Sequence, residues 1–131
     1  MASPKVVQVG SKHTEGNLVD LYLEFPVGAA GAVGTLVRNR EITGVTRLGA
    51  GNYRISLTAG WNALMAHSIK VIDATPAGTD GSVAVISVRT LGTATPVIEF
   101  FTYKADTWAA ADPRNGAVVS VWLRMQNGQR V

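Results

Sequence analysis

The sequence predicts an all-β fold: a β-sandwich of jelly-roll-like form, with short loops and at most one helical turn. Three observations carry this reading. From Ala117 to Gln126 the residues alternate, with Ala117, Val119, Val121, Leu123 and Met125 on one side and Val118, Ser120, Trp122, Arg124 and Gln126 on the other. A period of two sustained over that length is a strand with one face in a core. Shorter alternating runs recur between clusters of Gly, Pro, Asn and Asp, and no amphipathic run reaches helical length.

Each element follows from its own pattern. Val6, Val7 and Val9 read as a short first strand or arm, and Gly10 to Asn17 as a polar loop. Leu18 to Phe25 alternates, with Val19, Leu21, Leu23 and Phe25 on one face, and Pro26 ends it because it cannot donate to a ladder. Gly28 to Gly34 reads as a flexible loop of small residues. It lacks the Gly-Lys-Ser/Thr ending of a phosphate loop and the spacing of a dinucleotide loop. Ile42 to Leu48, the turn Gly49-Ala50-Gly51-Asn52 and the alternation of Tyr53, Ile55 and Leu57 make a hairpin over 42–58, with a bulge at Gly44. Trp61 to His67 reads as one short helical turn, because Leu64 follows Trp61 by three. Ile69 to Ile72 is a strand. Val83 to Val88 is apolar on both faces and reads as a central strand covered on both sides. Pro96 opens a strand over Val97 to Tyr103, Ala105 to Ala111 is loop, and the turn Asp112-Pro113-Arg114-Asn115-Gly116 leads into the last strand.

A chain of 131 residues suits a single domain, 1–131, with extended arms or frayed ends at 1–10 and 127–131. Charged residues make up 16%, against roughly 25% in an ordinary globular protein. Such a surface is either partly covered by another protein or rich in Gly, Ala and Thr loops. The net charge of +3 comes from basic residues spread along the chain, and Arg38-Asn39-Arg40 is followed at once by Glu41. That is not the basic stripe with stacking aromatics of a nucleic-acid binder. No cysteine is present, so no disulfide framework forms, and assembly in a reducing cytoplasm is allowed. The residues from Met1 to Val6 hold no signal-peptide core, and no apolar stretch approaches the ~20 residues of a membrane span.

Chemistry-bearing residues are scattered. His13 and His67 read as separate loop histidines without the partners a zinc site needs. Asp20 and Glu24 share a strand face but stand roughly 13 Å apart, too far for a glycosidase pair. There is no nucleophile elbow and no cysteine nucleophile. The expectation is a protein that is not an enzyme and has no cofactor. The aromatic residues carry more. Tyr22 and Trp122 fall on the polar faces of their strands, either beneath a second covering layer or on a partner surface. Trp61 and Trp108 read as loop residues. Tyr22, Trp61, Trp108, Trp122 and Arg124 are the candidate protein contacts.

Two stretches, Gly44 to Leu57 and Asp112 to Asn127, resemble small virion structural proteins of tailed bacteriophages. That group carries a Gly-x-Tyr-x-Ile-x-Leu strand, here Gly51 to Leu57, and a closing Asp-Pro-x-x-Gly turn, here Asp112 to Gly116. The resemblance covers residues 42–64 and 112–131. It implies a non-enzymatic capsid cement (decoration) protein that bridges capsomers on the head exterior. The implied partners are the major capsid protein and further copies of the chain, as a homodimer or homotrimer. The implied place is the virion surface, after assembly in the host cytoplasm. The alternatives are a head-fibre, neck or tail component, or a carbohydrate-binding sandwich stacking sugars on Trp61, Trp108 or Trp122.

Overall fold

A computed structural model describes residues 18–73 and 81–127. The expected strand at Val6 to Val9, His13 and the segment 128–131 lie outside the described residues. Among the described residues seven strands follow in order: β1 (Leu18–Pro26), β2 (Ile42–Gly49), β3 (Asn52–Leu57), β4 (Trp61–Ile72), β5 (Ser82–Thr90), β6 (Val97–Lys104) and β7 (Val118–Asn127). The only helical element among the described residues is a 3-10 turn, Ala29–Gly31. The strands form two antiparallel sheets, one of order β1-β7-β4 and one of order β2-β3-β6-β5. The all-β sandwich is therefore as the sequence predicts. The finer jelly-roll expectation goes beyond this order, in which β2–β3 and β5–β6 are hairpins within one sheet.

The alternation of β7 explains its central place. Its inward residues Val119, Val121, Leu123 and Met125 are buried between two neighbours and under the other sheet. In register, Leu23 of β1, Val121 and Ile69 of β4 form one inward row, and Phe25, Val119 and Val71 another. The opposite sheet supplies Tyr53, Ile55, Ile98 and Phe100, all fully buried. Tyr53 stacks on Phe100 with centroids 5.5 Å apart and meets Phe25 at 6.0 Å, a geometry that adds to simple area burial.

The hairpin over 42–58 and its bulge at Gly44 are present, with the register shifting between Ile42 and Gly44. Three expectations are corrected. Trp61 to His67 is not a helical turn but the first half of β4, so His67 lies in a strand and not in a loop. The helix-like spacing comes from register shifts between Trp61 and Ala63 and between Leu64 and Ala66. Each extra residue resets the alternation, so Trp61 and Leu64 both turn inward. Second, the stretch Val83 to Val88 belongs to an edge strand, β5, paired only with β6 among the described residues. Its outer apolar residues lie in a surface stripe. Third, the Gly28 to Gly34 loop is folded back on itself, with Gly34 N–H donating to Pro26 O and Gly28 N–H to Ala32 O, both at 2.8 Å. Gly31, at φ +75°, sits where any Cβ would overlap the Asp112 side chain. Its glycines serve close approach.

Candidate functional site

Three arrangements of side chains stand out, one at an end of the sandwich and one on each outer face.

At the end of the sandwich, the β2–β3 turn, the Gly28 to Gly34 loop and the β6–β7 connection meet at Asp112. Arg47 grips this carboxylate with both prongs, Nε to Oδ1 at 3.0 Å and Nη2 to Oδ2 at 2.8 Å. Gly51 N–H also donates to Oδ1 at 2.8 Å. The buried Tyr53 hydroxyl donates to Gly31 O at 2.8 Å and lies 3.5 Å from Oδ1. The Arg47 guanidinium holds the Asp112 carboxyl below the usual carboxylate range, against the opposing effect of burial. Burial pushes the Tyr53 phenol up to about 12. Every group here has a partner, so the cluster locks three loops together. It joins the two stretches that carry the phage-protein resemblance, Gly51 to Leu57 and Asp112 to Gly116. Those residue patterns are therefore fold-holding ones.

The outer face of the three-stranded sheet is read in rows across β1, β7 and β4. One row is Tyr22, Trp122 and Ser68, and the next is Asp20, Arg124 and Ala66. Arg124 pairs with Asp20, Nε to Oδ1 at 2.8 Å and Nη2 to Oδ2 at 3.2 Å. Its guanidinium also lies 5.5 Å from the Trp122 ring centroid, a cation–π contact. The Asp20 hydrogen bonds raise the Arg124 pKa further. Arg124 thus covers part of the indole, which is half-buried, while Tyr22 beside it is 52% exposed. An Arg124→Ala variant is expected to lose no more than about 1 kcal/mol, since a part-exposed ion pair contributes little. Its Trp122 indole gains water, read as a red-shifted and more quenchable tryptophan emission.

The outer face of the four-stranded sheet is more apolar. Arg54 and Glu99 pair across β3 and β6 at 2.8 Å. Beyond them, Val85 lies in register with Phe101 and Val83 with Tyr103. Phe101 and Tyr103 are 6.0 Å apart, and Trp108 leans on Tyr103 at 6.5 Å. Trp108 is 64% exposed, and its backbone is left-handed at φ +56°, a conformation that a bulky residue rarely adopts. Its loop is well tied. Trp108 N–H donates to Lys104 O at 2.7 Å, Lys104 N–H to Ala109 O at 3.0 Å, and Thr102 Oγ1 to Ala111 O at 2.6 Å.

Of the five candidate contacts, Tyr22, Trp122 and Arg124 come together on one face, and Trp108 stands on the other. Trp61 does not qualify. It is 6% exposed, begins β4, and its indole N–H donates to Thr58 Oγ1 at 3.3 Å. The Thr58 hydroxyl donates onward to Glu41 at 2.8 Å, so Trp61 anchors a turn from inside. Reading the sequence alone misses the stripe of Val83, Val85, Phe101 and Tyr103. Its signal is the double-sided apolarity of Val83 to Val88, which reads equally as burial. Among the described residues no group of three His, Asp or Glu is placed to hold a metal ion, and no helix is long and apolar enough to cross a membrane. No family model, curated protein or solved structure matches the chain.

Proposed function

We propose that this chain is a non-enzymatic virion structural protein that binds the outside of a tailed-phage head and stabilises it by bridging capsomers. The observation that carries the reading is Trp108. A tied loop holds this indole in left-handed backbone, two-thirds exposed, beside Tyr103 and Phe101. A rigid aromatic side chain displayed on an apolar face loses little conformational freedom on docking, which is the profile of an interface anchor. A partner surface that seats it removes the indole from water and fixes the orientation of the sandwich. The partner is the major capsid protein, with further copies of this chain alongside, and the place of action is the head surface after assembly in the host cytoplasm. The phage-head setting comes from the resemblance carried by Gly51 to Leu57 and Asp112 to Gly116, residues that here hold the fold, while the docking role rests on Trp108.

The glycan-binding alternative is weaker on this geometry. Trp61 is buried and Arg124 lies against Trp122, so of the three indoles only Trp108 offers an open stacking face. The fibre, neck or tail alternative shares the anchor and differs in location.

The test is mass spectrometry and cryo-imaging of purified virions, followed by add-back of purified protein to heads that lack it. The expected result is regular decoration of the head by many copies, and heads more resistant to heat with the protein than without it. Trp108→Ala is expected to keep its thermal midpoint and to reduce head occupancy at least ~10-fold, the scale of a hot-spot truncation. Heads equally stable without the protein and carrying no density for it would overturn the proposal. A few copies confined to the neck or tail would move it to the fibre reading.

A further inference from the structure

A sandwich exposes unpaired backbone at its sheet edges, and the edges here differ in how they are blunted. β1 is met at Glu24 by Val37, with reciprocal hydrogen bonds of 2.9 and 2.8 Å, and it ends in Pro26. β2 has register shifts near both ends, and β4 has two in its first half. β5 is regular from Ser82 to Ile86, before its single shift between Ile86 and Val88. That regular stretch, Ser82-Val83-Ala84-Val85-Ile86, holds no charge and no proline.

The direction of its backbone groups follows from β6. Thr102 N–H donates to Gly51 O at 2.7 Å, and Thr102 O accepts Ala111 N–H at 3.0 Å. Both groups therefore point away from β5. Thr102 is in register with Ala84, and opposed residues in an antiparallel pair exchange both hydrogen bonds or neither. Ala84 thus turns its N–H and C=O to the free side, and by the period of two so do Ser82 and Ile86. Gly81 O accepts Ala105 N–H at 2.7 Å, which fits the same phase. Among the described residues no strand pairs with β5 on that side.

We propose that β5 is a self-pairing edge, on which a second copy of the chain docks antiparallel about a two-fold axis at Ala84. The two four-stranded sheets then become one continuous sheet. Ala84 pairs with Ala84 of the second copy, and Ser82 with Ile86 of the second copy, in both directions. The outward groups of the three residues all find partners. On the outer face, Val83 falls opposite Val85 of the second copy. Because Val83 is in register with Tyr103 and Val85 with Phe101, an unbroken apolar row of Tyr103, Val83, Val85 and Phe101 crosses the join twice.

Charge also selects this arrangement. The one charge of the strand is Arg89 at its end. Antiparallel pairing holds the two Arg89 residues about 33 Å apart, whereas parallel pairing in register sets them side by side. The strand comes beside β4 from Ile86 onward: Ile86 and Arg89 line a groove with Leu64, Met65, Ala66 and His67, and Arg89 and Leu91 line one with Asn62, Ala63 and Leu64, so the join ends at Ile86. An overlap this short lies at the small end of specific interfaces, with a dissociation constant on the order of micromolar. The inference rests on the cement reading only in that this reading calls for a homo-oligomer, and it is measured on purified protein without any virion.

The chain holds no cysteine, so Ala84→Cys places a single thiol at the two-fold. Across a hydrogen-bonded antiparallel pair the Cα atoms stand about 5.5 Å apart, within disulfide reach. Analytical ultracentrifugation is expected to show a monomer–dimer equilibrium. Val85→Lys, at an exposed position, is expected to weaken dimerisation at least ~10-fold with unchanged circular dichroism and thermal midpoint. On mild oxidation Ala84→Cys should form a covalent dimer far faster than Thr46→Cys, an exposed control on β2. A monomer at all concentrations up to hundreds of micromolar, a dimer that Val85→Lys leaves intact, or cross-linking of Ala84→Cys no faster than the control would overturn the proposal. A confirmed dimer that is absent from virions leaves this inference standing and removes the cement reading, and a monomer that decorates heads does the reverse.

Discussion

A Gly51→Ala variant is expected to lose roughly 4 kcal/mol of stability or more, measured by urea unfolding followed by circular dichroism. Two costs add. Gly51 sits at φ +68°, where an L side chain costs about 1–2 kcal/mol. A Cβ there would also stand 2.7 Å from Thr102 O, 2.8 Å from Ala111 N and 2.9 Å from Ala111 O. These are backbone atoms of β6 and of the β6–β7 connection, so no side chain can swing aside to make room. The same residue donates its N–H to Asp112 and its C=O accepts Thr102 N–H, and both bonds move if the turn shifts. An Ala50→Gly control, one residue earlier in the turn, changes flexibility alone and is expected to cost about 1 kcal/mol or less. A Gly51→Ala midpoint equal to that of the control would show that the turn has freedom the structure does not display.

Replacement of Asp112 is the second large effect. Asp112→Ala leaves Arg47 and the Gly51 N–H without their shared acceptor, at an expected cost of about 2–4 kcal/mol. Asp112→Asn keeps an oxygen for Gly51 and loses the ion pair, so it is expected to fall between the wild type and the alanine variant. The pH dependence follows from the direction of the shift. The Asp112 pKa is lower in the folded protein than in the unfolded chain, so its contribution is present above the unfolded value. It is lost as pH falls below about 4 and through the folded pKa. Tyr53 acts at the other end. Its phenol is raised to about 12 when folded, so the stability it confers is present below its ordinary pKa of about 10 and declines as pH rises from there through 12. Unfolding midpoints measured across pH should form a plateau with an acid shoulder missing from Asp112→Asn and an alkaline shoulder missing from Tyr53→Phe. An acid shoulder that persists in Asp112→Asn would assign the acid loss to other carboxylates.

Strands with strict alternation were legible in the sequence because burial on one face leaves a period of two. β7 and β3 read directly, and the turn at Gly49 to Asn52 announced itself through its glycines. β4 did not, because its two bulges convert a strand period into a spacing of three that imitates a helix. β5 reads as a strand, but its place in the sheet does not. Apolar residues on both faces mean burial in a central strand and a surface stripe in an edge strand, and local pattern does not separate the two. The outer-face position of Tyr22 and Trp122 is legible because each aromatic breaks the polar phase of its strand. Trp61 is hidden with its element, because the same bulged spacing that imitates a helix conceals its inward turn. The cluster at Asp112 was hidden because Arg47, Gly51, Tyr53 and Asp112 are brought together only by tertiary folding, and the resemblance marked its two halves without showing that they touch.

The central position of β7 has a consequence for how the protein is made. β1 and β4 flank it and share no ladder with each other, and Asp20 meets Arg124 across 104 residues of chain. During synthesis β1 and β4 emerge first and wait, each with an open side, until β7 leaves the ribosome. The β2–β3 pairing is local in sequence, whereas neither ladder of the three-stranded sheet can form until β7 is present. Such dependence on distant contacts slows folding. It makes β7, the last of the described strands, the commitment point, so ribosomes stalled before β7 hold chains without the sandwich.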